Sequence, residues 1–256
     1  MTGITVKELL EATGGNLLHG QEDQHVKHIS LDSRKMEGDD LFVPIVGERV
    51  DAHRFLCQAI ASGAAVVFTS EHHCGEDVKA CVRQQCGENR EQERKALQAA
   101  WIEVSDTKKA LQDLGSFCRK RLSLPLVGSV GKTTTREMIA EALSAGFKVY
   151  KTPGNSNSQV GVPITIAEIP QSAEIGVIEL GMSEPGEMER IARVARVDCA
   201  VMTNIGIAHI EQLGSQENIY REKLSIQDGL TEHGGNAARG HIVLKRRRPS
   251  SGLSGS

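Results

Sequence analysis

The chain has 256 residues, 39% hydrophobic and 25% charged, with 30 Lys and Arg against 33 Asp and Glu and a formal net charge of −3. That is enough for one large or two ordinary domains; the charge argues against broad nucleic-acid binding, and no apolar run reaches the roughly 18–20 residues of a membrane span. Met1 to Gly15 lack a basic region followed by an apolar stretch, so no signal peptide is read there and the expected location is the cytoplasm.

Elements follow quickly in the first part. Thr5 is placed to cap a helix over Val6 to Ala12. Leu41 to Val46 is a short apolar strand that Pro44 pushes toward an edge or a bulge. His53 to Ser62 reads as a helix and Ala64 to Phe68 as a buried strand, together a small α/β domain. Residues 71–99 are polar and charged, and read as a surface excursion ending in a helix from Glu91 to Ala99. A strand over Trp101 to Val104 and a helix from Asp106 to Arg121 come next, with the Asp106 carboxylate as a natural cap for backbone N–H groups.

Six cysteines, Cys57, Cys74, Cys81, Cys86, Cys118 and Cys199, are scattered through a chain without a secretion signal, which favours free thiols. His72 and His73 adjoin Cys74, but the spacing is not the CxxC of a zinc knuckle. A solvated insertion is the expectation there, with zinc as the sharper alternative.

Near Leu124 the pattern becomes a regular alternation. Strand Leu126-Val127, helix Thr133 to Ala145, strand Lys148 to Tyr150, strand Ile175 to Leu180, helix Glu187 to Ala195 and strand Cys199 to Thr203 imply a mostly parallel sheet covered by helices. Met138, Ile139, Ala142 and Leu143 fall on one helix face, the expected buried face. Ligands of such sheets gather at the carboxyl ends of the strands. The expected domains are 1–105, 106–233 and an irregular tail, 234–256, whose basic run Lys245 to Arg248 and Ser/Gly end read as a disordered terminus rather than a nucleic-acid patch.

The chemistry concentrates in Gly128-Ser129-Val130-Gly131-Lys132-Thr133-Thr134, which follows an apolar strand and opens a helix. Glycines let backbone N–H groups face a phosphate, and the helix N-terminus adds a favourable dipole. Lys132 would reach the outer phosphates and Thr133 would place its hydroxyl on magnesium. The strict pattern asks for Gly at position 126, where this chain has Leu126. Glu179 ends an apolar run, and a carboxylate at a parallel strand's carboxyl end suits a magnesium ligand; an ordinary strand-end charge is the alternative. His209 and Lys223, taken alone, read as structural.

Together, these segments resemble the Mur ligases. The family shares the phosphate loop, a strand-end Glu, a downstream His after a Thr-Asn-Ile-Gly segment and a later Lys, matched here by Gly128 to Thr134, Glu179, Thr203 to Gly206 with His209, and Lys223. Leu31 to Arg34, Gly38 to Val43 and Gly47 to Arg49 look like its uridine-nucleotide-binding module. The resemblance implies a small N-terminal α/β uridine-nucleotide-binding domain followed by a truncated P-loop parallel-sheet ATPase domain. It implies ATP and Mg2+ as cofactors, with Gly128, Ser129, Val130, Gly131, Lys132, Thr133 and Thr134 on the nucleotide. Thr133, Glu179 and His209 would hold metal, and a carbamylated Lys223 would support a second metal. Leu31, Ser33, Glu48, Arg49 and Val50 would meet the uridine end. Lys151 to Asn157 and Gly161 to Pro163 are most similar to the member that adds a terminal dipeptide, which implies UDP-N-acetylmuramoyl-tripeptide and D-alanyl-D-alanine as partners.

This sequence departs from the family in two ways. A Gly-Ile-Thr-like lead-in before the Gly-Ser-x-Gly-Lys run is lacking, as though about three residues were missing. The family also continues through the rest of the ATP domain and a further domain, so the sheet is expected to keep an unpaired edge after Thr203. The alternatives that stay open are a nucleotide-sugar-binding paralogue without catalysis, the related ligase that adds the third peptide residue, and a different P-loop NTPase.

Overall fold

The computed structural model describes residues 3–70, 73, 78–86, 89–131, 133–203, 205–230 and 241–244, excluding the side chains of 85, 86 and 241–244. The expected phosphate-binding Lys132 lies outside the described residues. The chain divides into two units, residues 1–123 with 159–173, and residues 124–158 with 174–256.

In the first unit a short strand β1 (Ile4–Thr5) leads into helix α1 (Val6–Thr13). Thr5 caps it reciprocally: its hydroxyl accepts the Glu8 N–H at 3.1 Å, and the Glu8 carboxylate accepts the Thr5 N–H at 2.9 Å. Gly14, at φ 65°, closes the helix in the left-handed region that glycine enters without a Cβ clash. Strands β2 (Asn16–His19), β3 (His25–Val26), β4 (His28–Ser30) and β5 (Asp40–Phe42) follow, then helix α2 (Leu56–Ala61), strand β6 (Ala64–Thr69), helices α3 (Val78–Cys86) and α4 (Arg90–Ala96), strand β7 (Ala100–Glu103) and helix α5 (Thr107–Arg121). The main sheet has the order β2-β7-β6-β5-β4, parallel except for β2 against β7.

The 71–99 segment is not only a surface excursion. Val78, Cys81, Val82, Ala96 and Ala99 are buried in one cluster with Phe42, Leu56, Val67 and Trp101. Its few apolar residues are spaced to put one stripe per helix inward, which the charged average conceals. Trp101 is fully buried, and its indole N–H is satisfied by the Ala96 carbonyl at 2.9 Å. Cys57 is disulfide-bonded, against the expectation of free thiols, whereas Cys81, Cys118 and Cys199 form no disulfide.

The second unit contains strand β8 (Leu126–Val130), helix α6 (Thr133–Ser144) and strand β9 (Val149–Lys151). Helix α7 (Gly161–Ala167) returns to the first unit, where it packs on α5. The sequence-based boundary at 105 separates α5 from that unit, but α5 also packs on α1 and belongs with it. Strand β10 (Ile175–Glu179), helix α8 (Glu187–Ala195), strand β11 (Cys199–Met202), a short helix α9 (Ile210–Leu213), helix α10 (Gln216–Leu224) and strand β12 (His241–Leu244) complete the second unit. Its sheet is all parallel, in the order β12-β11-β8-β10-β9.

Two expectations change here. The tail is not irregular throughout, because His241–Leu244 pair in parallel with Cys199–Met202. The edge after Thr203 is therefore covered by the Ile-Val-Leu run of the tail, too short to give a periodic signal. On α6, Arg136 and Ala140 are buried, while Met138 is 68% exposed. A charged residue occupies the inward face, which is centred on Arg136 and Ala140 and keeps Ile139 and Leu143 half-buried beside them.

Candidate active site

The carboxyl ends of β8 and β10 define the site. Gly128, Ser129 and Val130, expected in a phosphate loop, are instead the last three residues of β8. Gly128 pairs with Ile178 on one side and Ala200 on the other, Ser129 with Glu179 and Val201, and Val130 with Met202. All three are buried. The missing lead-in explains this: the sheet needs a full-length central strand and draws the loop's residues into it. A Cβ on Gly128 would lie 3.1 Å from both Val197 methyls and 3.2 Å from Ile226 Cδ1, so the glycine serves packing at this position. The Ser129 hydroxyl is buried with no hydrogen-bond partner. Backbone groups committed to ladders, on both sides for Gly128 and Ser129 and on one for Val130, cannot also wrap a phosphate, so in this register the three residues do not fit the role expected of them. Between β8 and α6 only Gly131, at φ 134° and exposed, and Lys132 remain. Thr134 is exposed in the first turn of α6.

The Glu179 carboxylate is held from three directions. Its Oε1 accepts the Thr133 hydroxyl at 3.1 Å and the Asn157 side-chain N–H at 3.0 Å. The Arg136 guanidinium lies 3.2 Å from Oε2, outside hydrogen-bonding geometry, so Oε2 is buried without a hydrogen-bond partner. Arg136 itself donates to the Gly154 carbonyl at 2.7 Å and pairs with Glu137. The Glu179 N–H donates to the buried Thr152 hydroxyl at 2.9 Å. Adjacent hydroxyl and carboxylate oxygens, one with unused capacity, are the donor types a hard cation takes, so Thr133 and Glu179 fit a Mg2+ site. Sequence reading missed Arg136, Thr152 and Asn157 as parts of this site. For Thr152 and Asn157 the signal was present in the Thr152 to Asn157 run, but spacing cannot show that it folds back onto the end of β10.

His209 precedes α9 at φ 67° with its side chain exposed. Among the described residues no hydrogen bond or ion pair joins it to Glu179 or Thr133. Lys223 lies on α10, half-buried, and burial pushes its ammonium below the ordinary lysine range. A neutral amine is the form that reacts with carbon dioxide, so the direction suits carbamylation. Its neighbour Glu222 accepts the N–H groups of Gly186 at 2.9 Å and Met188 at 2.8 Å, placing a carboxylate at the N-terminus of α8.

In the first unit, Gly47 to Val50 form a tight exposed turn: the Gly47 N–H donates to the Val50 carbonyl at 3.0 Å and Val46 bridges Asp51. Arg49 and Val50 line a cavity of about 680 Å3 together with Asp51, His53, Arg54, His73 and Gln84. Leu31, Ser33 and Glu48 do not line it. Ser33 is buried, its hydroxyl 3.3 Å from Gln58 Oε1, and Leu31 is half-buried. The expected uridine-side residues thus divide between an exposed turn and the end of β4.

Comparison with known proteins supplies the family. The Mur ligase middle domain model matches residues 126–249, and the model described as Mur ligase family, catalytic domain, matches residues 25–118. UDP-N-acetylmuramoyl-tripeptide–D-alanyl-D-alanine ligase of Bacillus subtilis (strain 168) is 38% identical over 234 residues, covering 90% of this chain and 47% of the relative. Its Escherichia coli (strain K12) namesake is 30% identical over 91% of this chain and 47% of the relative. Among solved structures, MurF from Acinetobacter baumannii superposes with a TM-score of 0.76 at 28% identity, covering 95% of this chain and 49% of that one. MurF ligase from Thermotoga maritima in complex with ADP gives 0.63 at 28% identity, over 81% and 44% of the two chains. The chain spans about half the length of the relatives it matches. With both of its units matched by models of one family, the chain belongs to the Mur ligase family.

Proposed function

We propose that the chain is the substrate-binding and middle portion of an ATP-dependent ligase that joins D-alanyl-D-alanine to UDP-N-acetylmuramoyl-tripeptide, acting in the cytoplasm on these small-molecule partners. The observation that carries this reading is the Thr133–Glu179 pair at the end of β10, held by Asn157 and Thr152, inside a segment matched by the family's middle domain. Bound Mg2+ would neutralise charge on a transferring phosphoryl group. Thr133 and Glu179 would hold it, and Asn157 and Arg136 would fix the carboxylate's orientation. Lys223, with its amine held toward neutrality, is the residue we assign to carbamylation; Arg49 and Val50 are those we assign to the uridine end.

One observation favours a second reading, binding without turnover. Gly128, Ser129 and Val130 lie in β8, so no phosphate-cradling step is assigned to them. Under this reading the first unit binds the nucleotide-linked peptide and the second has lost productive nucleotide contact. Purified chain, incubated with ATP, Mg2+, UDP-N-acetylmuramoyl-tripeptide and D-alanyl-D-alanine, separates the two. Phosphate release that needs all four supports a ligase active as it stands. Substrate binding without phosphate release supports the second reading. Failure to bind the UDP-linked peptide at all overturns both.

A further inference from the structure

The cavity in the first unit has a feature that neither reading uses. Asp51, at the end of the exposed turn, sits between two imidazoles. His53 Nδ1 is 2.7 Å from Asp51 Oδ1, and His73 Nε2 is 2.5 Å from Asp51 Oδ2. The two rings stack with centroids 3.6 Å apart and planes 10° from parallel. His73 Nδ1 lies 2.6 Å from the Ser70 hydroxyl. The His53 side chain is 3% exposed, and its Nε2 has no hydrogen-bond partner.

We propose that Asp51, His53 and His73 form a three-ligand site for a divalent transition-metal ion of the Zn2+ type, with its remaining coordination position open to the cavity. Nitrogen and carboxylate donors are the set such ions take, and three protein ligands with one open position is the geometry of a non-structural site. The three ligand atoms already lie within 4.8 Å of one another. Tetrahedral coordination at metal–ligand distances near 2.0–2.1 Å spaces the donors about 3.3 Å apart. The carboxylate therefore moves out by less than about 1 Å, which a side chain 39% exposed on the cavity wall can do. The rings tilt so that their lone pairs converge, and the stack opens.

Each neutral imidazole presents its lone pair by carrying its proton on the opposite nitrogen. For His73 that is Nδ1, which then donates to the Ser70 hydroxyl, the supporting contact a metal-bound histidine ordinarily makes. For His53 it is Nε2. An anionic carboxylate beside a neutral imidazole is the form that binds metal.

The test uses the full chain with the Cys57 disulfide intact, stripped of metal and titrated with Co2+ and then Zn2+. We expect one equivalent bound, with visible Co2+ bands and no near-ultraviolet thiolate charge-transfer band. We expect His73→Gln and Asp51→Asn each to weaken binding at least about tenfold. Because either change could disturb folding, the parent chain is also followed by imidazole nitrogen NMR, where Zn2+ should shift the ring signals of His53 and His73. A thiolate band at one equivalent, ring signals that do not move, or affinity unchanged in both variants each overturns the proposal.

Discussion

Inserting Gly-Ile-Thr between Val127 and Gly128 should return the phosphate loop to its expected place. In a parallel strand each residue advances about 3.3 Å, so three residues carry Gly128 about 10 Å beyond its present position. The inserted residues would take the ladder places now held by Gly128, Ser129 and Val130, opposite Ile178 and Glu179 and beside Ala200 to Met202. The new glycine would fill the position where a Cβ meets Val197 at 3.1 Å, and the isoleucine would replace the unpaired Ser129 hydroxyl. Gly128 to Gly131 would then precede α6 as free loop, with N–H groups turned toward its N-terminus. Two charge-assisted hydrogen bonds regained, at about 1.5–3 kcal/mol each, amount to about 3–6 kcal/mol, or roughly a hundredfold to ten-thousandfold in affinity. Calorimetric titration of parent and insertion variant with Mg-ATP measures this, with circular dichroism to show that both are folded. If the parent binds within about threefold of a folded insertion variant, the reasoning is wrong: residues in β8 would then be no obstacle to the nucleotide.

Three further expectations are open to measurement. Gly128→Ala should lower the thermal midpoint by an amount corresponding to about 1–3 kcal/mol of overpacking against Val197 and Ile226; an unchanged midpoint would place Gly128 outside the strand. Acid should weaken the first unit in two stages: His53, held by burial below its ordinary 6.5, lets the unfolded chain bind more protons as pH falls below 6.5, and Asp51, at about 2 against 3.8, adds its loss as pH falls from about 4 through 2. Denaturant midpoints at pH 7.5 and 5.5 check the first stage, and a His53→Gln variant that loses as much as the parent would refute it. Cys118, whose thiol is pushed up to about 11 mainly by burial, should resist alkylation at pH 8, and rapid labelling in the folded chain would contradict its placement.

Much of the framework was legible because it rests on local rules. Thr5 and Asp106 cap the helices that their side chains foretold, and α8 spans the residues its apolar spacing marked, Glu187–Ala195. The buried strands β6 and β10 stand out as apolar runs between turn signals. What sequence spacing missed depends on contacts distant in the chain. The strand β2 (Asn16–His19) has no fully buried residue and is defined by its pairing with β7. Arg136 is buried because Glu179, 43 positions later, and the Gly154 carbonyl receive it. His73 meets Asp51 across a gap of 22 residues, a pairing that its neighbours His72 and Cys74 drew attention away from. At the motif itself, residue types gave the right family while register decided the local structure.

That register effect bears on what a motif match means. A phosphate loop works because a strand stops and leaves its next N–H groups unpaired in front of a helix. The residue types Gly, Ser, Gly and Lys permit such a loop but do not fix where the strand stops; the count of residues before them does. In this chain the count runs short, and pairing on both sides of β8 favours filling the ladder over leaving a gap between β10 and β11. Thr133 and Glu179 stay adjacent regardless, because one is set by the start of α6 and the other by the end of β10, and neither depends on the lead-in. The half of the site that we assign to metal can therefore persist without the half expected to bind phosphate. Loss of nucleotide affinity with retention of Mg2+ binding at Thr133 and Glu179 would be the signature of that separation.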